Sequence, residues 1–509
     1  MWRAGDFNAI LGRIKLSEHT HSPAFAAVPP PTAQAAVPEL VRRYLPWTVA
    51  VALFMQQLDA TIVNTAVPTM AAGLHVDSLS LKSVVTSYTI GLAVFIPLSG
   101  WVADRFGTRR VFGLAVLLFT LGSLCCGLSL NLPMLIASRV LQGAGAAIML
   151  PVGRLALLVT FPKSEMLRVM NYVIIPALLG PLLGPFMGGV IVHWLPWRMI
   201  FLLNLPVGAL GMYLVHRFMP DHRGEAGRFD GRGFCLFGGG VAIFSYVLEI
   251  FGEHRQPAVV TGGLVLASAI LLGGYVRHAR GHPNPLLPLN LFRLRTFRAS
   301  VAGGFVTRLG IAGMPFLLPL LYQLGLGYPA WEAGLLTMPQ AGAAICIKLF
   351  MTRLLARFGH RSVLLVNTVC IGAMIMVFSL VGQGTPVWLI LMFSFMQGSF
   401  SALQFTTMNS LAYADTTDAQ ASDATTMAST LQQMSISFGV ACASLVTGWF
   451  LGGNVPAAGA GLIAALHEAF LTLGALTIVS SLTFLSLRAN DGNNLSNRTG
   501  LRPAEQAGS

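Results

Sequence analysis

The feature that most constrains this chain is a series of long apolar runs joined by short polar segments. We count fourteen such runs: six within residues 44–218, two within 233–276 and six within 299–487. A run of about 20 apolar residues is long enough for a helix to cross the hydrocarbon core of a bilayer. The runs are continuously apolar instead of alternating, which indicates helices and excludes a transmembrane barrel. The predicted fold class is therefore an all-α integral membrane protein.

The distribution of charge supports a membrane protein and excludes nucleic acid as a partner. Only 10% of the 509 residues are charged, whereas soluble proteins carry about 25%. The net charge is +13, but most of the 32 lysines and arginines lie in the two tails and in every second join. This bias predicts that both termini lie in the cytoplasm, in an inner-membrane protein whose basic loops face anionic lipid.

The grouping into six, two and six runs predicts two similar halves with an inserted helical pair. Arg357-Phe358-Gly359 repeats Arg105-Phe106-Gly107 at a shift of 252 residues (357 − 105), with Ala356 in the place of Asp104. The predicted segments are a disordered cytoplasmic tail (1–43), a first six-helix bundle (44–218), a linker with two extra helices (219–298), a second six-helix bundle (299–487) and a cytoplasmic C-terminal tail (488–509).

The join between the second and third runs carries the most specific motif. It reads Gly100-Trp101-Val102-Ala103-Asp104-Arg105-Phe106-Gly107-Thr108-Arg109-Arg110. Glycines at 100 and 107 predict close backbone approach and a tight turn. Charge alone would indicate no more than a loop that orients the protein.

Two charged residues inside predicted spans are candidates for a functional site. A carboxylate at Asp59, in the first run, costs at least ~2.5 kcal/mol to insert, which makes it a candidate for proton exchange. The alternative is a structural acid that bonds to Asn64 or to a neighbouring helix. Arg139, in the fourth run, cannot lose its proton and must face a partner or water, with Gln142 one turn further on the same face.

Several of these motifs resemble those of one family. The loop at Gly100–Arg110 is similar to the signature loop between helices 2 and 3 of the major facilitator superfamily, and the stretches around Asp59 and Arg139 resemble motifs of its fourteen-helix drug:proton antiporters. The resemblance implies two six-helix bundles plus two inserted helices, proton coupling through Asp59 and Arg139, and a conformational lock. The lock would comprise Gly100, Asp104, Arg105, Gly107 and Arg109.

The fifth run contains a glycine–proline pattern that bears on the direction of transport. Glycines four apart leave a smooth helix face, while prolines interrupt the hydrogen-bond ladder. The spacing resembles the motif that marks exporters in this superfamily, and export rests on that resemblance alone. The residues are Gly180, Gly184, Pro185, Gly188 and Gly189.

The substrate is the least determined part of the prediction. Candidates for the substrate cavity are Asn64, Gln142, Arg308 and Lys348. If Arg308 and Lys348 face the cavity, the site suits an anion, and if they extend to an interface they carry no such information.

The favoured function is proton-coupled efflux of drugs or other small lipophilic compounds by alternating access. The alternative is export of a small organic anion or a metal chelate such as citrate, through Arg308 and Lys348. The chain lacks a phosphate-binding loop and a catalytic or metal-binding cluster, so we predict neither ATP use, an enzyme nor a cofactor. The short tails argue against a sensor or scaffold. Predicted partners are the substrate, protons and the bilayer, with periplasmic adaptor proteins as a further partner.

Overall fold

The computed structural model describes residues 38–488 and 490–492 apart from the short segments 163–164, 225–227, 252–256, 284, 418–419 and 453–458. Most of the predicted N-terminal tail, residues 1–37, and the C-terminal residues 493–509 lie outside this part of the chain. The described residues form helices joined by short turns, and no strand occurs among them. This confirms the predicted all-α membrane fold.

The fourteen helices follow the predicted order of six, two and six. The first bundle consists of α1 (Glu39–Leu74), α2 (Ser78–Phe106), α3 (Thr108–Gly127), α4 (Leu132–Thr160), α5 (Met166–Trp194) and α6 (Met199–Phe218). The inserted hairpin consists of α7 (Gly231–Phe251) and α8 (Ala258–Gly281). The second bundle consists of α9 (Arg295–Gly325), α10 (330–358), α11 (360–377), α12 (Val387–Ala412), α13 (Ala421–Leu451) and α14 (Ala460–Ser486).

Twelve of these helices are long and apolar enough to span a membrane by composition alone. The exceptions are α1, which carries Asp59, and α10, which carries Glu332 and Lys348. The chain is therefore a multi-pass membrane protein. Its first helix begins at Glu39, five residues before the predicted start at 44, and Arg42 on its first turn forms a surface ion pair with Glu165 at 2.8 Å.

The repeated turn has the same backbone geometry in both halves. Gly107 has φ 93° and ψ 144°, and Gly359 has φ 76° and ψ 160°. Residues with a Cβ rarely adopt such a positive φ, which explains glycine at both positions. The close approach predicted at Gly100 is wrong for this conformation, since a Cβ there would meet no atom within 4 Å. We call the end of the bundle that carries Gly107 and Gly359 the turn end, and the opposite end the far end.

The two halves pack against each other from mid-depth to the far end. Gln323 of α9 donates a hydrogen bond to the Thr65 carbonyl of α1 at 2.8 Å, and Ser444 of α13 donates to the Leu79 carbonyl at 3.3 Å. A large apolar core at this end draws residues from both bundles, including Val67 and Leu321.

The inserted hairpin packs against both halves at once. Gly238 of α7 lies against Val94 of α2, and the Phe244 ring lies 5.0 Å from the Phe438 ring of α13. The hairpin thus covers one side of the seam between the halves.

Candidate functional site

A buried ion pair joins α1 to α4 inside the first bundle. Arg139 Nη1 lies 2.5 Å from Asp59 Oδ2, and the side chains are 1% and 0% exposed. Neither charge reaches water, so each depends on the other and on nearby hydrogen bonds for compensation.

Amide side chains complete the hydrogen bonding of this pair. Asp59 Oδ1 accepts from Gln142 Nε2 at 2.9 Å and from Asn204 Nδ2 at 2.8 Å. Arg139 Nη1 also donates to Gln142 Oε1 at 2.7 Å, and its Nε donates to the Val84 carbonyl at 3.1 Å. Helices α1, α2, α4 and α6 therefore meet at one charged cluster, which we call the Asp59 cluster: Asp59, Arg139, Gln142 and Asn204.

Aromatic rings enclose the guanidinium of Arg139. Its Cζ lies 4.2 Å from the centroid of the Tyr88 ring and 5.8 Å from that of Phe201. A cation over a ring face gains about 2 kcal/mol or more when desolvated. The rings therefore stabilise the cation and exclude water from the ion pair.

Of the partners that the sequence offered for Asp59, the structure shows Arg139 and side chains of neighbouring helices, and not Asn64. Asn64, the proposed alternative partner, makes no hydrogen bond to Asp59; it lies on the other face of α1. Gln142, expected in the substrate cavity, lies in the Asp59 cluster because both ends of its amide serve the ion pair. Asn204 was missed, although an amide inside the apolar run 199–218 is a signal that a buried polar partner exists.

A central cavity of about 340 Å³ lies between the two halves near mid-depth. Its walls come from both bundles and are largely apolar. The lining residues are Thr61, Asn64, Thr65, Pro181, Pro185, Ile311, Ala312, Pro315, Pro319, Thr337, Gln340, Ala341, Ala344, Gln397, Gly398, Ser401, Ala402, Phe405 and Ile436.

Several polar atoms in this cavity wall lack a partner. Asn64 Oδ1, Gln340 Nε2 and Ser401 Oγ are buried without a hydrogen bond. Unpaired polar atoms in an apolar wall are groups that a ligand can satisfy. Asn64, a candidate from the sequence, therefore lines this cavity together with Gln340 and Ser401.

Arg308 lies behind the cavity wall. The side chain is 3% exposed, and its Nε has no hydrogen-bond partner. Its Cζ lies 5.3 Å from the ring centroid of Phe405, which lines the cavity. No acid forms an ion pair with it among the described residues.

Lys348 is exposed on α10 and does not line the cavity. It lies four residues beyond Ala344, on the helix face that lines the cavity, toward the turn end. The two basic candidates therefore differ: Arg308 is buried at the cavity and Lys348 is exposed.

The glycines of α5 allow close packing with two other helices. A Cβ at Gly180 would lie 2.7 Å from the Leu58 nitrogen of α1, one at Gly184 would collide with Thr61, and one at Gly188 would lie 2.5 Å from the Ile62 carbonyl oxygen. Thr65 donates a hydrogen bond to the Pro185 carbonyl at 3.0 Å.

The next glycine of α5 faces the other half. A Cβ at Gly189 would collide with the Ala330 carbonyl of α10, and one at Gly334 of α10 would collide with the Pro185 carbonyl. The glycine–proline pattern therefore forms one of the contacts between the halves at the far end.

The loop at Gly107 packs against the segment that follows α6. Thr108 Oγ1 donates to the Pro220 carbonyl at 2.8 Å, and Arg109 donates to the His216 carbonyl. Asp104 lies beside Gly224, while Arg105 is exposed. In this conformation, Asp104 and Arg109 contact the end of α6 and the segment that follows it, and not the second bundle.

Comparison with known proteins agrees with the fold and its motifs. The sequence model of the Major Facilitator Superfamily matches residues 49–440. The chain is 37% identical to "Putative multidrug resistance protein MdtD" of Serratia proteamaculans, covering 89% of this chain and 94% of the relative. It is 36% identical to "Probable transport protein HsrA" of Haemophilus influenzae, covering 89% and 97%.

Solved structures share the fold at low sequence identity. A peptide transporter POT in complex with sulfate matches with a TM-score of 0.63 and 16% identity, covering 89% of this chain and 95% of that one. A D-xylose-proton symporter matches with a TM-score of 0.64 and 12% identity, covering 89% and 99%. The chain belongs to the Major Facilitator Superfamily and, within it, to the drug:proton antiporter family: it is a membrane transporter and not an enzyme.

Proposed function

We propose that this protein exports small lipophilic compounds across the inner membrane in exchange for protons. The observation that carries the proposal is the position of Asp59 on α1. One face of this helix holds the buried ion pair, and the opposite face lines the central cavity with Thr61, Asn64 and Thr65. A single rigid element therefore links proton binding to substrate binding.

The coupling step begins with a proton on Asp59. Protonation removes the negative charge and leaves Arg139 as a buried cation without its counter-charge, which is strongly unfavourable. The first bundle relieves this by moving α1 relative to α4, and the cavity wall moves with α1. The proton thus favours one position of α1 and the substrate favours the other. Binding of one ligand then opposes binding of the other, as exchange requires.

The halves would alternate around the central cavity. In the conformation described here, they are packed from mid-depth to the far end, which corresponds to a state open to the cytoplasm if the basic turn end is cytoplasmic. In the opposite state, the Gly189–Ala330 contact would separate and the turn end would close. Both termini are then cytoplasmic.

The lining of the cavity supports a lipophilic substrate. Proline, alanine, isoleucine and phenylalanine dominate the wall, and the lining residues are uncharged. The few amides and hydroxyls would orient a substrate without requiring a particular charge. The relatives named as multidrug resistance proteins support the same substrate class.

A second candidate function rests on Arg308. A buried guanidinium without an acidic partner is costly, and an anion in the cavity would compensate it. This favours export of a small organic anion or a metal chelate such as citrate.

The test is a comparison of substrate-driven proton flux in proteoliposomes containing an internal pH dye. We expect tetraphenylphosphonium, a lipophilic cation, to move protons in the wild type and in Arg308→Gln, but not in Asp59→Asn. The matched control is Glu468→Gln, an exposed acid whose loss should change nothing. Flux with citrate alone, lost in Arg308→Gln, would establish the second function instead. Flux that persists in Asp59→Asn would refute coupling through Asp59.

A further inference from the structure

A cluster of metal-ligating side chains lies in the inserted hairpin, outside the transport site. Asp230 immediately precedes α7, and His278 and His282 lie one turn apart at the end of α8. One ligand atom from each residue lies within 4.8 Å of the others. We propose that Asp230, His278 and His282 form a binding site for a transition-metal ion of the zinc class at the turn end of the hairpin.

The carboxylate of Asp230 is already fixed in place. Its Oδ1 accepts a hydrogen bond from the Gly233 N–H at 2.8 Å, and its Oδ2 accepts one from the Leu286 N–H at 3.2 Å. Both contacts hold the carboxylate at the start of α7, beside the end of α8.

The distances suit an ion after a small adjustment. Asp230 Oδ1 lies 2.7 Å from His278 Nε2. Zinc binds histidine nitrogen and carboxylate oxygen at about 2.1 Å, so two ligand atoms of a tetrahedral site lie about 3.4 Å apart. A small rotation of the His278 imidazole that moves Nε2 about 0.7 Å further from Asp230 Oδ1 makes room for the ion.

The second histidine is what distinguishes a metal site from a structural hydrogen bond. The Asp230–His278 contact alone would fasten α7 to α8. His282 places a further imidazole beside it: its ring lies 5.0 Å from the His278 ring, centroid to centroid. Two imidazoles and one carboxylate favour zinc, copper or nickel over calcium or magnesium.

The surroundings leave room for an ion and a further ligand. His282 lines a cavity of about 1080 Å³ together with Asp423. Arg280 and Arg293 line the same cavity and oppose a cation, while Asp230 and Asp423 favour it. Water from the cavity can supply the fourth ligand.

The test is zinc binding by the full-length protein in detergent, purified with a tag free of histidine and stripped of metal. Titration against a chromophoric zinc chelator should show one equivalent bound to the wild type, and at least tenfold weaker binding in His282→Gln. His216→Gln, an exposed histidine at the same end, is the matched control and should bind as the wild type does. Equal affinity in the wild type and His282→Gln would overturn the proposal.

Two further measurements on the wild type test the zinc site without relying on the His282→Gln variant. Zinc should raise the unfolding temperature of the wild type and of His216→Gln, since an ion that binds only the folded state stabilises it. Cobalt bound to the wild type should give visible absorption bands of a nitrogen–oxygen site. Absence of these bands would refute the site even if His282→Gln failed to fold. Neither readout depends on transport.

Discussion

At the scale of single residues, the buried charges of the Asp59 cluster are compensated only when all of its members are present. Asp59 and Arg139 are both inaccessible to water, and Gln142 and Asn204 both donate to the carboxylate oxygen that Arg139 does not contact. Removal of one member leaves its partner as a buried charge, which costs more than removal of both.

This predicts a strong non-additivity between the two charges. Arg139→Met should lower the free energy of unfolding by about 3–5 kcal/mol, because Asp59 is left uncompensated. The double variant Asp59→Asn/Arg139→Met should recover part of this loss. The measurement is unfolding of the detergent-solubilised protein, followed with a thiol-reactive dye that reports exposure of the free cysteines. Additive losses would show that the two side chains do not act as a pair.

For Arg308, we predict the opposite effect of substitution on stability. Because its Nε lacks a partner, Arg308→Met should stabilise the substrate-free protein by about 1 kcal/mol or more. Lys348→Met, at an exposed position on α10, is the control and should change stability by less than about 0.5 kcal/mol. Destabilisation by Arg308→Met would mean that the guanidinium is satisfied in the folded protein.

At the scale of helices, glycines determine which surfaces can meet. On α5, Gly180, Gly184 and Gly188 contact α1 inside the first bundle, whereas Gly189 contacts α10 across the two halves. The same sequence pattern therefore serves both the stability of one bundle and the closure of the far end.

Gly189→Ala should open the far end, because the new methyl group would collide with the Ala330 carbonyl. We expect a cysteine placed at Thr337, in the cavity wall, to react several-fold more with an impermeant maleimide added from the far side. Gly342→Ala is the matched control at the same α5–α10 contact, since its methyl group would meet Leu182 at 4.0 Å. Unchanged labelling in Gly189→Ala would exclude a role for this contact in closure.

The turns at Gly107 and Gly359 give a prediction about the stability of the connections between helices. Gly359→Ala should destabilise the protein by about 1–2 kcal/mol, because alanine is strained at a φ of 76°. Gly448→Ala, a helical glycine with no atom within 4 Å of the new methyl group, should be neutral or slightly stabilising. Unfolding measurements compare them, and equal effects would contradict a strained turn.

At the scale of the whole molecule, hydropathy identifies twelve of the fourteen helices, because lipid requires each span to be apolar and helical, and the grouping into six, two and six accounts for α1 and α10. The turn at Gly107 and its repeat were predictable because a positive φ selects glycine. The partners of Asp59 were not, since Asp59 and Asn204 are 145 residues apart and meet only through the packing of α1 on α6. The metal-ligating cluster was missed for the same reason: Asp230 and His278 are 48 residues apart.

The central claim is that substrate binding in the cavity releases a proton from Asp59. It is tested most directly by proton release from the purified protein, first acidified so that Asp59 carries a proton, in weakly buffered detergent with a pH dye as tetraphenylphosphonium is added. The wild type should release protons in proportion to the substrate bound, whereas Asp59→Asn should bind substrate and release none. Equal release from Asp59→Asn and the wild type would contradict the claim.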